Sequence, residues 1–273
     1  MDSSKSFTYF VPVDFSPCSY NALHYATMLA RCSYGQIMLS HVIDLEEIPD
    51  SENAVVISFA IDRLVKKAEE RIKSLREIIS LKGIMVKQEI LIGNVELQLL
   101  KQIEELKPDV IVMGRNTEHR VGSQSLLKNI TKNTNVPVLV VPQSHNPKIP
   151  NRTVLASDMN PKKKIKFAPF FEIIKKVSHE LSILDIKSGY FSNAQEALNW
   201  IKNLNETYGV EAKLLQQEDK NGLANIKNYV QTNEVDLICT VRYNSGILDK
   251  LFGQSISNQI TNQLEVPVLV IKE

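Results

Sequence analysis

QSLLKNITKNTNVPVLVVP, from Gln124 to Pro142, returns at the end of the chain as QSISNQITNQLEVPVLVIKE, from Gln254 to Glu273. Gln124 and Gln254, Ser125 and Ser255, Ile130 and Ile260, Thr131 and Thr261, and Pro137 and Pro267 all stand 130 positions apart. A constant offset over such a length marks a duplicated domain. In each copy a helix leads into the apolar run VPVLV, with little charge around it, which predicts a short strand buried on both faces.

Working outward, TYFVPV (Thr8 to Val13) predicts a strand ending at Asp14, and Phe15-Ser16-Pro17 a turn with Ser16 as N-cap and Pro17 at the first helical position. The helix that follows, to about Arg31, places Ala22, Tyr25, Ala26, Leu29 and Ala30 on one face. A strand from Ile37 to Val42 completes a strand-helix-strand unit, which favours parallel strands and a right-handed crossover. Residues 45 to 56 read as acidic and irregular, followed by a charged helix from Ser58 to Lys82, the strand MVKQEILI, a helix from Val95 to Leu106 and a strand from Val110 to Met113. The loop from Arg115 to Ser123 then leads to the repeated helix and strand, with Ser125 expected as the helix N-cap.

QSHNPKIPN, residues 143 to 151, has two prolines and no apolar period and reads as a connection. The expected organisation is a first domain at 1–143, a linker at 144–151 and a second, degenerate domain at 152–273. The strand-helix alternation restarts there, with Asp158 after the first strand and helices at 165–179, 193–208 and 223–232. Asp109 and Asp236 are 127 positions apart and Asp14 and Asp158 are 144 apart, so the second copy has lost length, chiefly where the first has its long charged helix. The fold class expected is α/β: two tandem doubly wound domains, each a mostly parallel five-stranded sheet with helices on both faces.

Composition narrows the function. With 32 basic and 31 acidic residues, the net charge of +1 gives no field for nucleic acid or an anionic membrane. Three cysteines without paired spacing supply neither a disulfide framework nor a zinc clip, and no run of about 18 apolar residues or signal-like start occurs, so a soluble, cytoplasmic protein is expected. The P-loop pattern and Gly-x-Ser-x-Gly are both absent, and no poised acid-base pair stands out; catalysis is not expected. Glu118 and His119 lie close together without a second ligand pair, which reads as loop polarity rather than a metal site.

VPVDFSPCSYNAL, SHVID, PDVIVMG and VPVLVV together resemble the universal stress protein family, in a tandem form with two such domains on one chain. The resemblance implies an ATP site, with magnesium, in the first domain. Pro12, Val13, Asp14 and Val42 match the family's base end, and Met113, Gly114, Arg115, Gly122, Ser123, Gln124 and Ser125 fall at its phosphate end. Family members that bind ATP have a Gly-x-x-Gly-x9-Gly-Ser loop, whose glycines let backbone amides approach phosphate oxygens. Here Gly114 supplies the first glycine, Thr117 replaces the second, and the terminal pair is either Gln124-Ser125 or, with a shifted register, Gly122-Ser123. A weakened nucleotide site is therefore expected. The second copy has Val241, Asn244 and Gln254-Ser255 at these places and keeps little of the loop.

Asp14 also suits a turn cap, and both roles stay open. The resemblance further implies pairing of terminal strands across a dimer, which the duplicate can satisfy inside one chain as a pseudo-dimer; a homodimer of the whole chain is left open. Three functions follow in order: a stress-response binding module holding adenine nucleotide, a nucleotide-independent scaffold for protein partners, and a slow ATP hydrolase.

Overall fold

The computed structural model describes residues 6–116, 121–157, 167–178, 180–185, 194–215, 222–242 and 264–272. The chain divides into two compact units, Met1–Val136 and Pro137–Glu273. Both are α/β with mostly parallel strands.

In the first unit, strand β1 (Thr8–Pro12) is followed by helix α1 (Pro17–Ser33), β2 (Gln36–Ile43), α2 (Ala54–Ser80), β3 (Val86–Ile92), α3 (Val95–Leu106), β4 (Val110–Arg115) and α4 (Val121–Asn133). The strand order is β3-β2-β1-β4, and β1 pairs in parallel with both β2 and β4. Helices lie on both faces. The Tyr9 hydroxyl hydrogen-bonds with Ser33 of α1 at 3.0 Å, whereas Ser40, level with Pro12 and of opposite parity to Tyr9, donates to Gln102 of α3.

Local chemistry explains the ends of these elements. Ser16 caps α1 by accepting from Ser19 N at 3.2 Å, with Pro17 at the first position. The helix stops where Tyr34 turns left-handed at φ 53 and Gly35 follows, with no room for a side chain: an added Cβ would lie 2.7 Å from Phe7 O. Ala22, Tyr25, Ala26, Leu29 and Ala30 are all fully buried, as their spacing predicts. Helix α2 starts four residues earlier than expected, because Asn53 caps it by accepting from Val55 N at 3.0 Å. The segment before it is not wholly irregular, since Asp44 and Glu47 form a capping box around a single turn at Leu45–Glu47.

The second unit contains β5 (Val138–Pro142), β6 (Arg152–Ser157), α5 (Ala168–Val177), β7 (Glu180–Asp185), α6 (Ala194–Tyr208), β8 (Ala212–Leu215), α7 (Gly222–Thr232), β9 (Leu237–Arg242) and β10 (Val268–Lys272). Its strand order is β5-β10-β9-β6-β7-β8. The two copies of VPVLV therefore pair with each other, antiparallel, with Leu139 opposite Leu269 and Val140 opposite Val268. Strands β10 and β9, β9 and β6, β6 and β7, and β7 and β8 all pair in parallel.

The duplication is visible in detail. Asp109, before β4, accepts from Thr8 N at 2.8 Å and returns its own N–H to Thr8 O at 3.0 Å. Asp236, before β9, accepts from Arg152 N at 2.9 Å and donates its N–H to Arg152 O at 2.8 Å. In both copies this aspartate pins the start of the first strand. Asp236 also accepts from Asn151 N at 2.8 Å and pairs with Lys148 at 2.5 Å, which fastens the expected linker to the sheet.

Candidate functional site

The chain leaves β1 toward β2 on one side, and β4 lies on the other side of β1, so the strand order reverses between β1 and β4. In open α/β sheets the crevice beyond the carboxyl ends of the strands at such a point is where ligands bind. Asp14 follows β1 at that end, and Met113, Gly114 and Arg115 close β4 there.

Val13 is buried and both its backbone groups are engaged: its N–H donates to Ser40 O at 2.8 Å, and its carbonyl accepts from His41 Nδ1 at 2.8 Å. A base at this position would have to use the carbonyl's second lone pair. Pro12 is half-buried and level with Ser40, and Val42 is buried on β2 one residue beyond His41.

Asp14 reaches solvent and organises the turn behind it. Its Oδ1 accepts from Ser16 N at 3.0 Å and from Ser16 Oγ at 2.6 Å. Partial burial pushes the carboxyl pKa up, but the hydrogen bonds from Ser16 and Ser19 outweigh it and hold the group below its ordinary value. Asp14 is thus a turn cap in this structure, and its charge lies at the crevice mouth.

Phe15 adopts φ 61, a left-handed conformation that costs a bulky residue about 1–2 kcal/mol. Its ring contacts His41 at 4.4 Å and the Arg71 guanidinium at 4.0 Å, and Arg71 also donates to the Tyr20 hydroxyl at 3.2 Å. Nothing in the sequence signals this stack, because it joins the turn after β1 to β2 and α2.

Gly114 is fixed by packing. A Cβ there would sit 2.6 Å from both the carbonyl carbon and the Sγ of Cys18, and would collide with the Cys18 carbonyl oxygen. Met113 and Arg115 are buried on either side of it. Burial, and then the Asp14 charge, push the Cys18 thiol up to about 11 against the opposing pull of Arg115. Cys18 is therefore a neutral thiol, and Asp14 and Arg115 act on it from opposite electrostatic sides. The fold brings Asp14, Gly114 and Arg115 together around Cys18, a residue the sequence reading passed over.

The residues expected at the phosphate end stand differently in two respects: Gly114 and Arg115 belong to β4, where a loop was expected from Arg115, and the next helix opens before Ser125. Helix α4 begins at Val121, so Ser125 is in its second turn and is not its N-cap, and its amide is used within the helix. Gly122 and Ser123 occupy the first turn, where backbone amides lack intrahelical partners, and Gln124 follows them. Thr117, Glu118 and His119, as well as Asp158, Asn244, Gln254 and Ser255, lie outside the described residues. Among the described residues no group of three His, Cys, Asp or Glu side chains could hold a metal, and no helix is long and apolar enough to cross a membrane.

An open, mostly parallel α/β sheet with a crevice at its switch point defines the class: a doubly wound α/β domain. A family model for the universal stress protein family matches residues 10–142, so the first copy is a domain of that family. A universal stress protein of Methanocaldococcus jannaschii is 26% identical over 147 residues, which cover 48% of this chain and 91% of the relative. A solved universal stress protein from Archaeoglobus fulgidus matches 98% of this chain and 99% of its own at a TM-score of 0.75 and 17% identity, so the likeness of fold runs through both units. Another solved member, a universal stress protein in complex with cAMP, covers 50% of this chain and 98% of its own at 17% identity and a TM-score of 0.38.

Proposed function

We propose that this chain is a stress-response binding protein that holds adenine nucleotide, as ATP with magnesium, weakly in its first unit. The observation that carries this reading is the meeting of Asp14 with Gly114 and Arg115 at the switch point between β1 and β4. Val42 and the Val13 carbonyl would face the base, and the first-turn amides of Gly122 and Ser123 the phosphates. The ancestral copies are 1–143 and 152–273, joined at 144–151, and the antiparallel pairing of β5 with β10 gives the chain the terminal-strand contact of a dimer within itself.

Affinity is low on this reading because the Val13 backbone is already bonded to β2 and Asp14 is engaged by Ser16. Calorimetric titration with ATP and magnesium tests it: saturable heat that weakens in Asp14→Ala supports the site, and no heat at millimolar ATP removes it.

One observation favours the scaffold reading. The first turns of α2 are apolar and open, with Val55 60% and Phe59 71% exposed, a surface better suited to a protein partner than to solvent. Absence of nucleotide binding together with loss of partner capture in Phe59→Ser would establish that alternative.

A further inference from the structure

The second unit has a cleft of about 490 Å³ along α6, a volume within the range of small-molecule sites. Its floor is aromatic and fixed. Tyr208 stacks on the fully buried Phe171 with centroids 4.4 Å apart and planes at 23°, and Phe171 meets Phe167 edge-on at 6.1 Å. Tyr208, Phe167 and the buried Leu204 line the cleft together with Trp200. Rings locked by their neighbours lose little freedom when a ligand stacks on them.

The wall is a polar ladder. Asn199, Asn203 and Thr207 stand four residues apart on one stripe of α6 and all face the cleft. Thr207 Oγ1 donates to Asn203 Oδ1 at 3.1 Å, and Gln195 Nε2 donates to Asn199 Oδ1 at 3.2 Å. Each amide oxygen thus already accepts one bond along the helix and keeps one lone pair, and each asparagine also has Nδ2–H to donate to a ligand. Among the described residues no Lys, Arg, Asp or Glu lines the cleft. A phosphate would lose hydration there without meeting a cation among those residues.

We propose that this cleft binds a neutral nitrogen heterocycle, stacked on the aromatic floor and accepting hydrogen bonds at its rim from Asn199 and Asn203. That chemistry is shared by an unphosphorylated nucleoside and a free nucleobase. The site is separate from the crevice at Asp14 and does not depend on the reading given to that crevice.

Trp200 is the single tryptophan of the chain, so intrinsic fluorescence of the full-length protein reports the cleft directly. Titration with adenosine and with adenine, excited where neither absorbs, should give saturable quenching, and the stronger of the two identifies the source. ATP should quench about tenfold more weakly or less. Asn203→Leu and Asn199→Leu, both at exposed positions, should abolish the effect with unchanged circular dichroism, and Asp14→Ala should leave it intact. Equilibrium dialysis of labelled adenosine against Trp200→Leu supplies a readout independent of fluorescence and should show lost binding. No quenching at millimolar adenosine and adenine, equal quenching by ATP or glucose, or quenching that survives both asparagine variants would overturn the proposal.

Discussion

Replacing Gly114 by alanine separates packing from ligand binding at the switch point. The added Cβ would lie 2.6 Å from the Cys18 carbonyl carbon and Sγ and closer still to the Cys18 oxygen. Two of those three atoms are backbone at the start of α1, where the Ser16 cap and Pro17 fix the chain, so the neighbour cannot swing aside. Forcing one methyl group into such a place costs about 1–3 kcal/mol. For a unit of this size that corresponds to a fall in midpoint of roughly 3–10 °C. The assay is thermal and urea unfolding of the full chain without nucleotide, followed by circular dichroism. Cys18→Ala in the Gly114→Ala background should restore only part of the loss, because it removes only the Sγ contact. If Gly114→Ala unfolds with the wild type yet no longer binds ATP, the packing argument is wrong and the glycine exists for the phosphate.

Three further outcomes follow from the same geometry. Burial pushes the Asp236 carboxyl up, but Lys148 and the amides of Arg152 and Asn151 hold it below its ordinary value, so it stabilises the fold above the unfolded pKa and that stability is lost as pH falls through the folded one. Asp236→Asn should therefore flatten the acid limb of the unfolding profile below about pH 4 and cost about 1–3 kcal/mol at neutral pH; an unchanged acid limb contradicts the assignment. At Phe15, alanine loses the stack yet keeps the left-handed penalty, whereas glycine loses the stack and the penalty together. Phe15→Gly should be more stable than Phe15→Ala by about 1 kcal/mol in urea midpoints, and the reverse order would show that φ 61 is not a source of strain. Asn53→Ala removes the cap of α2 and should cost about 1 kcal/mol, read as earlier loss of helical signal on heating; no change would place the true start of the helix elsewhere.

Much of the fold was legible because it is local. The recurrence of VPVLV at a fixed offset, the Ser16-Pro17 start of α1 and the buried face of Ala22, Tyr25, Ala26, Leu29 and Ala30 rest on spacings within a turn or two, which periodicity records. Asn53 was equally local and was missed only because the apolar residues after it do not show a clear face. Ser125 misled, since serine favours a cap wherever it stands, while the helix it was meant to open had already begun a turn earlier at Val121.

By itself the sequence determined that there are two copies, that each alternates strand and helix, and that Asp14 and Gly114 fall near the carboxyl ends of their strands. Only the tertiary structure decided that the two repeated strands pair with each other, that Cys18 fills the space beside Gly114, and that Phe15 is held left-handed against His41 and Arg71. The reason is distance along the chain. A helix face or a cap is set by neighbours a few residues away, whereas a strand partner or a missing Cβ is set by atoms that approach only when segments up to 132 residues apart are packed together.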